Sequence, residues 1–185
     1  MDGVNLLNEE KLFYERFYAL HRDKQLLSVF EKFGIAVFRR SSVLENFENI
    51  VIEFGFSGKR CVEIGTCNGL TALVLARYFD EVVTIDNTPN DTKREIASFC
   101  GVKNIRFVDC KDNAEKAAII NAIEFDCAYV DGDHAKDTKS DFDLVYRCGR
   151  VLFHEYWPAQ PAVWNLVNEL KSNVVTSGKF ALWIA

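Results

Sequence analysis

The stretch Cys61-Val-Glu-Ile-Gly-Thr-Cys-Asn-Gly-Leu70 holds the residues best placed to do chemistry. An apolar run meets an acid at Glu63, turns through Gly65 and Gly69, and enters a helical pattern at Leu70. A strand-to-helix turn of this kind presents backbone N–H groups at a helix N-terminus, where a ligand can use them. The glycine spacing narrows the ligand. A dinucleotide turn reads G-x-G-x-x-G, its second glycine admitting a pyrophosphate to the backbone. Here Cys67 stands at that second position, so the register is G-x-x-x-G. Glu63, two residues before the first glycine, repels a phosphate and suits a cationic group. Gly65 is expected to let the ligand approach the backbone, so that a side chain there blocks binding and spares the fold.

Two further segments carry reactive groups. Phe125-Asp-Cys-Ala-Tyr-Val-Asp-Gly-Asp-His134 and Val151-Leu-Phe-His-Glu-Tyr156 are apolar runs that end in carboxylates and imidazoles. Such a cluster is electrostatically costly unless it is solvated, protonated or holding a cation. Asp86 closes Glu81-Val-Val-Thr-Ile-Asp86, about 20 residues beyond the glycine turn, where an acid reaches the two hydroxyls of an adenosine ribose. That placement marks adenosine without choosing among its derivatives.

Positioning these groups is the work of alternating elements. Strand patterns fall at 60–65, 82–86, 104–109, 125–131 and 150–154, with helical stretches at 69–79, 91–100, 112–122 and 138–148. The helical connections are long enough for parallel crossovers. Val163, Leu166, Val167 and Leu170 form a helical stripe after Pro161, and 173–185 reads as two strands turning at Ser177-Gly178. The expected fold is α/β, a doubly wound, mostly parallel seven-stranded sheet with a C-terminal antiparallel hairpin. One domain spans 1–185, with an N-terminal helical extension at 1–57 and the α/β core at 58–185. In the extension, Leu26, Leu27, Phe30 and Phe33 share one face, ended by Gly34. Val43, Phe47, Ile50, Val51 and Phe54 share another, opened by Ser41-Ser42 as caps. Those helices suit covering one side of the sheet best; a lid over the site and a homodimer face are the other readings. Arg39-Arg40 reads as a solvated pair, and Tyr156, Trp157 and Trp164 as core aromatics or the lining of an acceptor pocket.

A doubly wound sheet binds its ligand outside the carboxyl ends of its strands. The residues there are Glu63 and Gly65, Asp86, Asp109, Asp131, and His154 with Glu155. Each acid alone reads equally well as a helix cap. Their convergence on one edge argues for a site.

E-x-G-x-x-x-G at 63–69, F-D-x-x-x-V-D-G-D-H at 125–134 and F-H-E-Y at 153–156 resemble class I S-adenosylmethionine-dependent methyltransferases, of the methyltransferase-24 or small-molecule O-methyltransferase type. The resemblance covers 60–156 by motif and 157–185 by pattern, and the N-terminal helices carry no motif. It implies a Rossmann-like fold and S-adenosylmethionine as methyl donor, held by Glu63, Gly65, Thr66, Asn68, Gly69, Asp86, Asp109, Cys110 and Asp131. Asp109 or Asp112 would accept from the adenine amine; the alternative is that both open the following helix. Metal-dependent relatives bind a divalent ion at positions matching Asp131, His154 and Glu155. His-Glu departs from their usual Asp-Asp or Asp-Asn, and an imidazole shifts preference from Mg²⁺ towards Mn²⁺, Fe²⁺ or Zn²⁺. It also opens a route without metal, in which His154 is the base. His134 stands where catechol O-methyltransferases carry a lysine base, and an imidazole's ordinary pKa of ~6.5 suits that task. Its alternative is a helix-terminal histidine bonded to a carboxylate. The implied catalytic set is His134, Asp131 and His154, acting on the hydroxyl of a small molecule or sugar. Two other classes stay in view: a non-catalytic donor-binding module, and a nicotinamide-dependent oxidoreductase, which the missing second glycine and Glu63 argue against.

Composition trims the field. The 185 residues are 49% hydrophobic and 26% charged, a soluble globular balance. A net charge of −5 with no lysine–arginine run argues against a nucleic-acid partner. Neither an Asn/Asp-Pro-Pro-aromatic tetrapeptide nor a Pro-Cys dipeptide occurs, which argues against base methylation. The first ten residues lack the basic and apolar regions of a leader, and no apolar run reaches membrane-spanning length. Six cysteines without a C-x-x-C pair read as free thiols of a cytoplasmic protein.

Overall fold

Runs rich in valine and isoleucine, broken at regular intervals by helical patterns, fold as a single sheet with helical crossovers. The computed structural model describes residues 28–29, 32–34, 47–133, 138–170 and 173–185. Most of the expected helix at 26–33, the Ser41-Ser42 cap, Arg39, Arg40 and His134 lie outside them. The chain forms two compact units, Met1–Glu48 and Asn49–Ala185, and the sheet belongs to the second.

That unit runs β1 (Gly58–Ile64), α1 (Leu70–Leu75), β2 (Phe79–Asp86), α2 (Thr92–Phe99), β3 (Ile105–Asp109) and α3 (Asn113–Asn121). It continues with β4 (Cys127–Val130), α4 (Thr138–Val145), β5 (Arg150–Phe153), α5 (Pro161–Glu169), β6 (Val174–Ser177) and β7 (Phe180–Ile184). The seven strands lie in the order β3-β2-β1-β4-β5-β7-β6. β1 to β5 are parallel, β7 runs antiparallel to β5, and β6 closes the hairpin against β7. This is the expected doubly wound sheet. Strand order reverses between β1 and β4, and a switch point of that kind opens a crevice at the carboxyl ends.

Alternation sends Val62, Ile64, Val83, Ile85, Ala128, Val130, Val151 and Phe153 into one continuous core with Phe142, Val145, Val163, Leu166 and Val167. Parallel strands are buried on both faces, so their other residues are also enclosed. Register aligns Thr84, Glu63, Tyr129, Leu152 and Leu182 in one row across the sheet. Two of those five are an acid and a phenol, an unusual choice for the centre of a sheet. All six cysteines are unbridged thiols, as expected. Among the described residues no helix is long and apolar enough to cross a membrane.

Local chemistry sets the ends of the elements. Asp112 caps α3 by accepting from the Glu115 N–H at 2.8 Å, while Glu115 reaches back to the Lys111 N–H at 2.7 Å. This is close to a capping box, with the acid bonding the N–H one residue before the cap instead of the cap's own. Pro161 opens α5, where a missing N–H is no loss.

Candidate active site at the carboxyl edge

Five strand exits meet at one edge, and the glycine turn is the most constrained of them. Gly65 has φ +99° and Gly69 φ +74°. A Cβ on Gly65 would lie 2.2 Å from the Asp131 carbonyl oxygen and 2.9 Å from the Gly132 nitrogen. The expectation that Gly65 makes room for a ligand is therefore corrected. The space is filled by the backbone leaving β4, and a side chain there breaks the fold. The turn also uses its own donors: Gly65 N–H bonds to Ile85 O at 2.9 Å, and Gly69 N–H to Thr66 O at 2.7 Å. Asn90, which the motif does not reveal, ties the turn by donating to Asn68 Oδ1 at 3.1 Å and Cys67 O at 3.3 Å.

Asp86, the last residue of β2, faces this turn. Its Oδ2 accepts from the Cys67 N–H and its Oδ1 from the Thr88 N–H, each at 2.8 Å. A carboxylate has about four acceptor sites, so each Asp86 oxygen has a further one beyond these bonds. Next to Asp86 in register, Asp109 binds Lys93 Nζ at 2.5 Å and Arg94 at 2.6 Å. Its hydrogen bond to Lys93, helped by Arg94, holds its carboxyl below the usual carboxylate range. Asp109 is thus committed to two cations and Asp112 to its helix cap. The alternative in which these acids open the following helix describes Asp112 alone, since Asp109 pairs with two cations of α2. Cys110 is buried, with its N–H on Asp86 O at 2.9 Å.

Glu63 is fully buried. The Thr71 hydroxyl donates to its Oε1 at 2.5 Å, and the Thr84 hydroxyl donates to its Oε2. Thr84 Oγ1 in turn lies 2.6 Å from Thr66 Oγ1 in the turn. Burial pushes the carboxyl up to about 8, against the hydrogen bonds from Thr71 and Thr84, which lower it, and with the charges of Asp131 and Asp86 adding to the rise.

On the far side of the switch point the exits of β4 and β5 meet. His154 Nδ1 lies 2.8 Å from Asp131 Oδ1, while the Tyr129 hydroxyl donates to Asp131 Oδ2 at 2.9 Å. Tyr129 is fully buried, and desolvation followed by the nearby Asp131 charge pushes its phenol well above the ordinary range. It stays a neutral donor. An ionised carboxylate offers only acceptors, so Asp131 holds the ring as the Nδ1–H tautomer. His154 Nε2 then points towards Glu155 Oε1 at 3.6 Å. Phe180 stacks on the ring with centroids 4.8 Å apart. Glu155 sits at φ +58°, a left-handed backbone uncommon outside glycine and one that recurs at functional sites. The Trp157 indole N–H donates to its Oε2 at 2.5 Å, and Lys179 Nζ lies 3.8 Å from its Oε1.

The expected metal ligands Asp131, His154 and Glu155 do come together, but as a chain of pairs. His154 Nδ1 and Asp131 Oδ1 face one another, which leaves no common point for the three to coordinate. Among the described residues no group of three or more His, Cys, Asp or Glu side chains is arranged to hold a metal ion. The residues do not fit the expected ligand set. Of the histidine bases, His154 is placed by this network, and His134 lies outside the described residues.

Neither a protein-family model nor a curated protein sequence matches this chain. Solved structures do. A provisionally assigned caffeoyl-CoA O-methyltransferase from Staphylococcus aureus is 17% identical, with TM-score 0.64 over 96% of this chain and 99% of that one. An O-methyltransferase from Bacillus cereus in complex with S-adenosylhomocysteine is 15% identical, with TM-score 0.60 over 78% and 81%. A provisionally assigned O-methyltransferase from Klebsiella pneumoniae is 14% identical, with TM-score 0.59 over 76% and 80%. At these identities the likeness is one of fold. The chain has the fold of class I S-adenosylmethionine-dependent methyltransferases, O-methyltransferases among them.

Proposed function

We propose that this protein is an S-adenosylmethionine-dependent methyltransferase acting on a hydroxyl of a small molecule or sugar. The observation that carries the reading is the joint placement of the Asp86-braced glycine turn and the Asp131–His154 couple at one switch point. The turn side takes the donor, with Asp86 on the ribose diol. The β4–β5 side takes the acceptor. Methyl transfer from a sulfonium is an in-line displacement, so alignment of acceptor oxygen, methyl carbon and sulfur supplies much of the rate. The acceptor must also lose a proton. His154 Nε2 receives it, and Asp131 orients the ring and stabilises the imidazolium that forms, as the third group of a nucleophile–base–orienter set does. Tyr129 holds Asp131 in that orientation. Glu155, beside Nε2, lines the same space and selects what enters it.

Two binding results test the donor half. The protein should bind S-adenosylhomocysteine at micromolar concentration, about 8 kcal/mol of binding free energy, in a calorimetric titration. Folded protein that gives no heat would sink the reading. Asp86→Ala should weaken that binding by roughly 2–3 kcal/mol, because bonds to a charged acceptor are worth more than neutral ones. An unchanged dissociation constant would move the ribose elsewhere and leave Asp86 only as a brace for the turn.

A further inference from the structure

Glu63 is the residue the mechanism leaves unused. From the sequence it reads as a carboxylate for the donor's ammonium group, yet its side chain is enclosed by the protein's own hydroxyls. Thr71 comes from α1, Thr84 from the neighbouring strand, and Thr66, one step further along the chain of hydroxyls, from the turn itself. Through Thr84, Glu63 thus links Thr66 inside the glycine turn and Thr71 just after it to β2. Every charged group facing it is an acid or stays neutral. Asp86 approaches from the end of β2, Tyr129 and Asp131 from β4 and its exit, and Cys61 shares β1. Among the described residues, the charges that act on Glu63 are those of the acids Asp131 and Asp86.

We propose that Glu63 is a positioning residue that holds the donor-binding turn as a neutral carboxylic acid, and that ionising it loosens the turn and weakens donor binding. In that state the carboxyl O–H donates to one threonine hydroxyl, which turns to accept, and the other oxygen accepts from the second, so Glu63 bridges hydroxyls across the turn rather than touching the ligand. The inference rests on the reading of that turn as the donor site. A carboxyl titrating near 8 is mostly protonated at neutral pH and loses its proton in mildly alkaline solution. Glutamine reproduces the neutral shape, and the threonine hydroxyls can rotate to accept from its amide.

The test is calorimetric titration of the full chain with S-adenosylhomocysteine from pH 6.5 to 9.5, comparing wild type with Glu63→Gln. Glu63→Gln should keep the wild-type dissociation constant at pH 7. The wild type should then weaken relative to the variant, about tenfold by pH 9, as a group with pKa about 8 ionises. The ligand's own amino group titrates alike in both experiments, so the ratio isolates Glu63. A weakening of roughly tenfold in Glu63→Gln at pH 7, the effect of removing a charged partner, would overturn the proposal in favour of an ionised carboxylate reading the ammonium. Parallel pH curves would overturn it too. Absence of binding by either protein would refute the donor site instead, and a second measurement then decides the Glu63 question alone. Its folded pKa is raised, so its stabilising effect is full below the unfolded value and is lost as pH rises through the folded one. The urea midpoint of wild type relative to Glu63→Gln should therefore fall between pH 5 and 8 and level off above. A constant difference would overturn the proposal.

Discussion

Replacing His154 with alanine is expected to lower methyl transfer by roughly 10²–10⁴-fold, the usual contribution of a positioned base, with donor affinity unchanged. The expectation comes from the order of groups. Tyr129 donates to Asp131, Asp131 fixes the Nδ1–H tautomer of His154, and the other ring nitrogen is turned to the space beside Glu155. Asp131→Asn should reproduce much of the loss, because an amide can offer the ring an N–H and so reverse the tautomer. A chelator should leave the rate unchanged, since Asp131 and His154 engage each other rather than converging on an ion. The measurement is single-turnover methyl transfer to a panel of sugars, phenols and aliphatic alcohols. A His154→Ala protein that works at the wild-type rate would remove the base from the mechanism, and inhibition by chelation would reinstate the ion.

The sheet could be read from the chain because parallel strands are written as dense apolar runs and their crossovers as amphipathic ones. The turn at Ser177-Gly178 likewise announces an antiparallel hairpin, and β6 and β7 pair across it. Helix length was harder to read. The pattern from 69 to 79 suggests three turns, but α1 keeps only Leu70–Leu75, since Tyr78 already leads into β2 at Phe79. In the site, residue types at strand exits located the edge, while side-chain partners stayed hidden. Lys93 lies on α2 with nothing in its local sequence to mark it, yet it is buried against Asp109 from another element. Tyr129 sits mid-strand as an ordinary core aromatic, and only the two-residue strand period places its hydroxyl under Asp131. Glu63 shows the limit most clearly. Its position before the glycines is visible in the sequence, but its partners Thr71 and Thr84, and Thr66 behind Thr84, meet only in the fold.

Gly65→Val is expected to destabilise the protein by more than about 4 kcal/mol, the size reserved for backbone conflict or core disruption. A β-branched residue at φ +99° is already outside its allowed backbone region. The added Cβ would also meet the Asp131 carbonyl oxygen at 2.2 Å, its carbon at 2.6 Å and the Gly132 nitrogen at 2.9 Å. All three atoms are backbone, so no side-chain rotation relieves the clash. Neither strand exit can simply withdraw. Gly65 is held by its N–H on Ile85 O, and Asp131 by its N–H on Ile64 O, each at 2.9 Å. One of those anchors must break, and with it the register that sets the glycine turn against the exit of β4. Donor binding and the Asp131–His154 couple would be lost together. Asp86→Ala differs, weakening the donor alone on an intact sheet. In a thermal scan the valine variant should melt at least roughly 8–16 °C below wild type, taking 2–4 °C per kcal/mol for a chain of this size. A soluble Gly65→Val protein with the wild-type melting temperature would show that the two exits are not in contact, and the close approach that joins donor side to acceptor side would have to be abandoned.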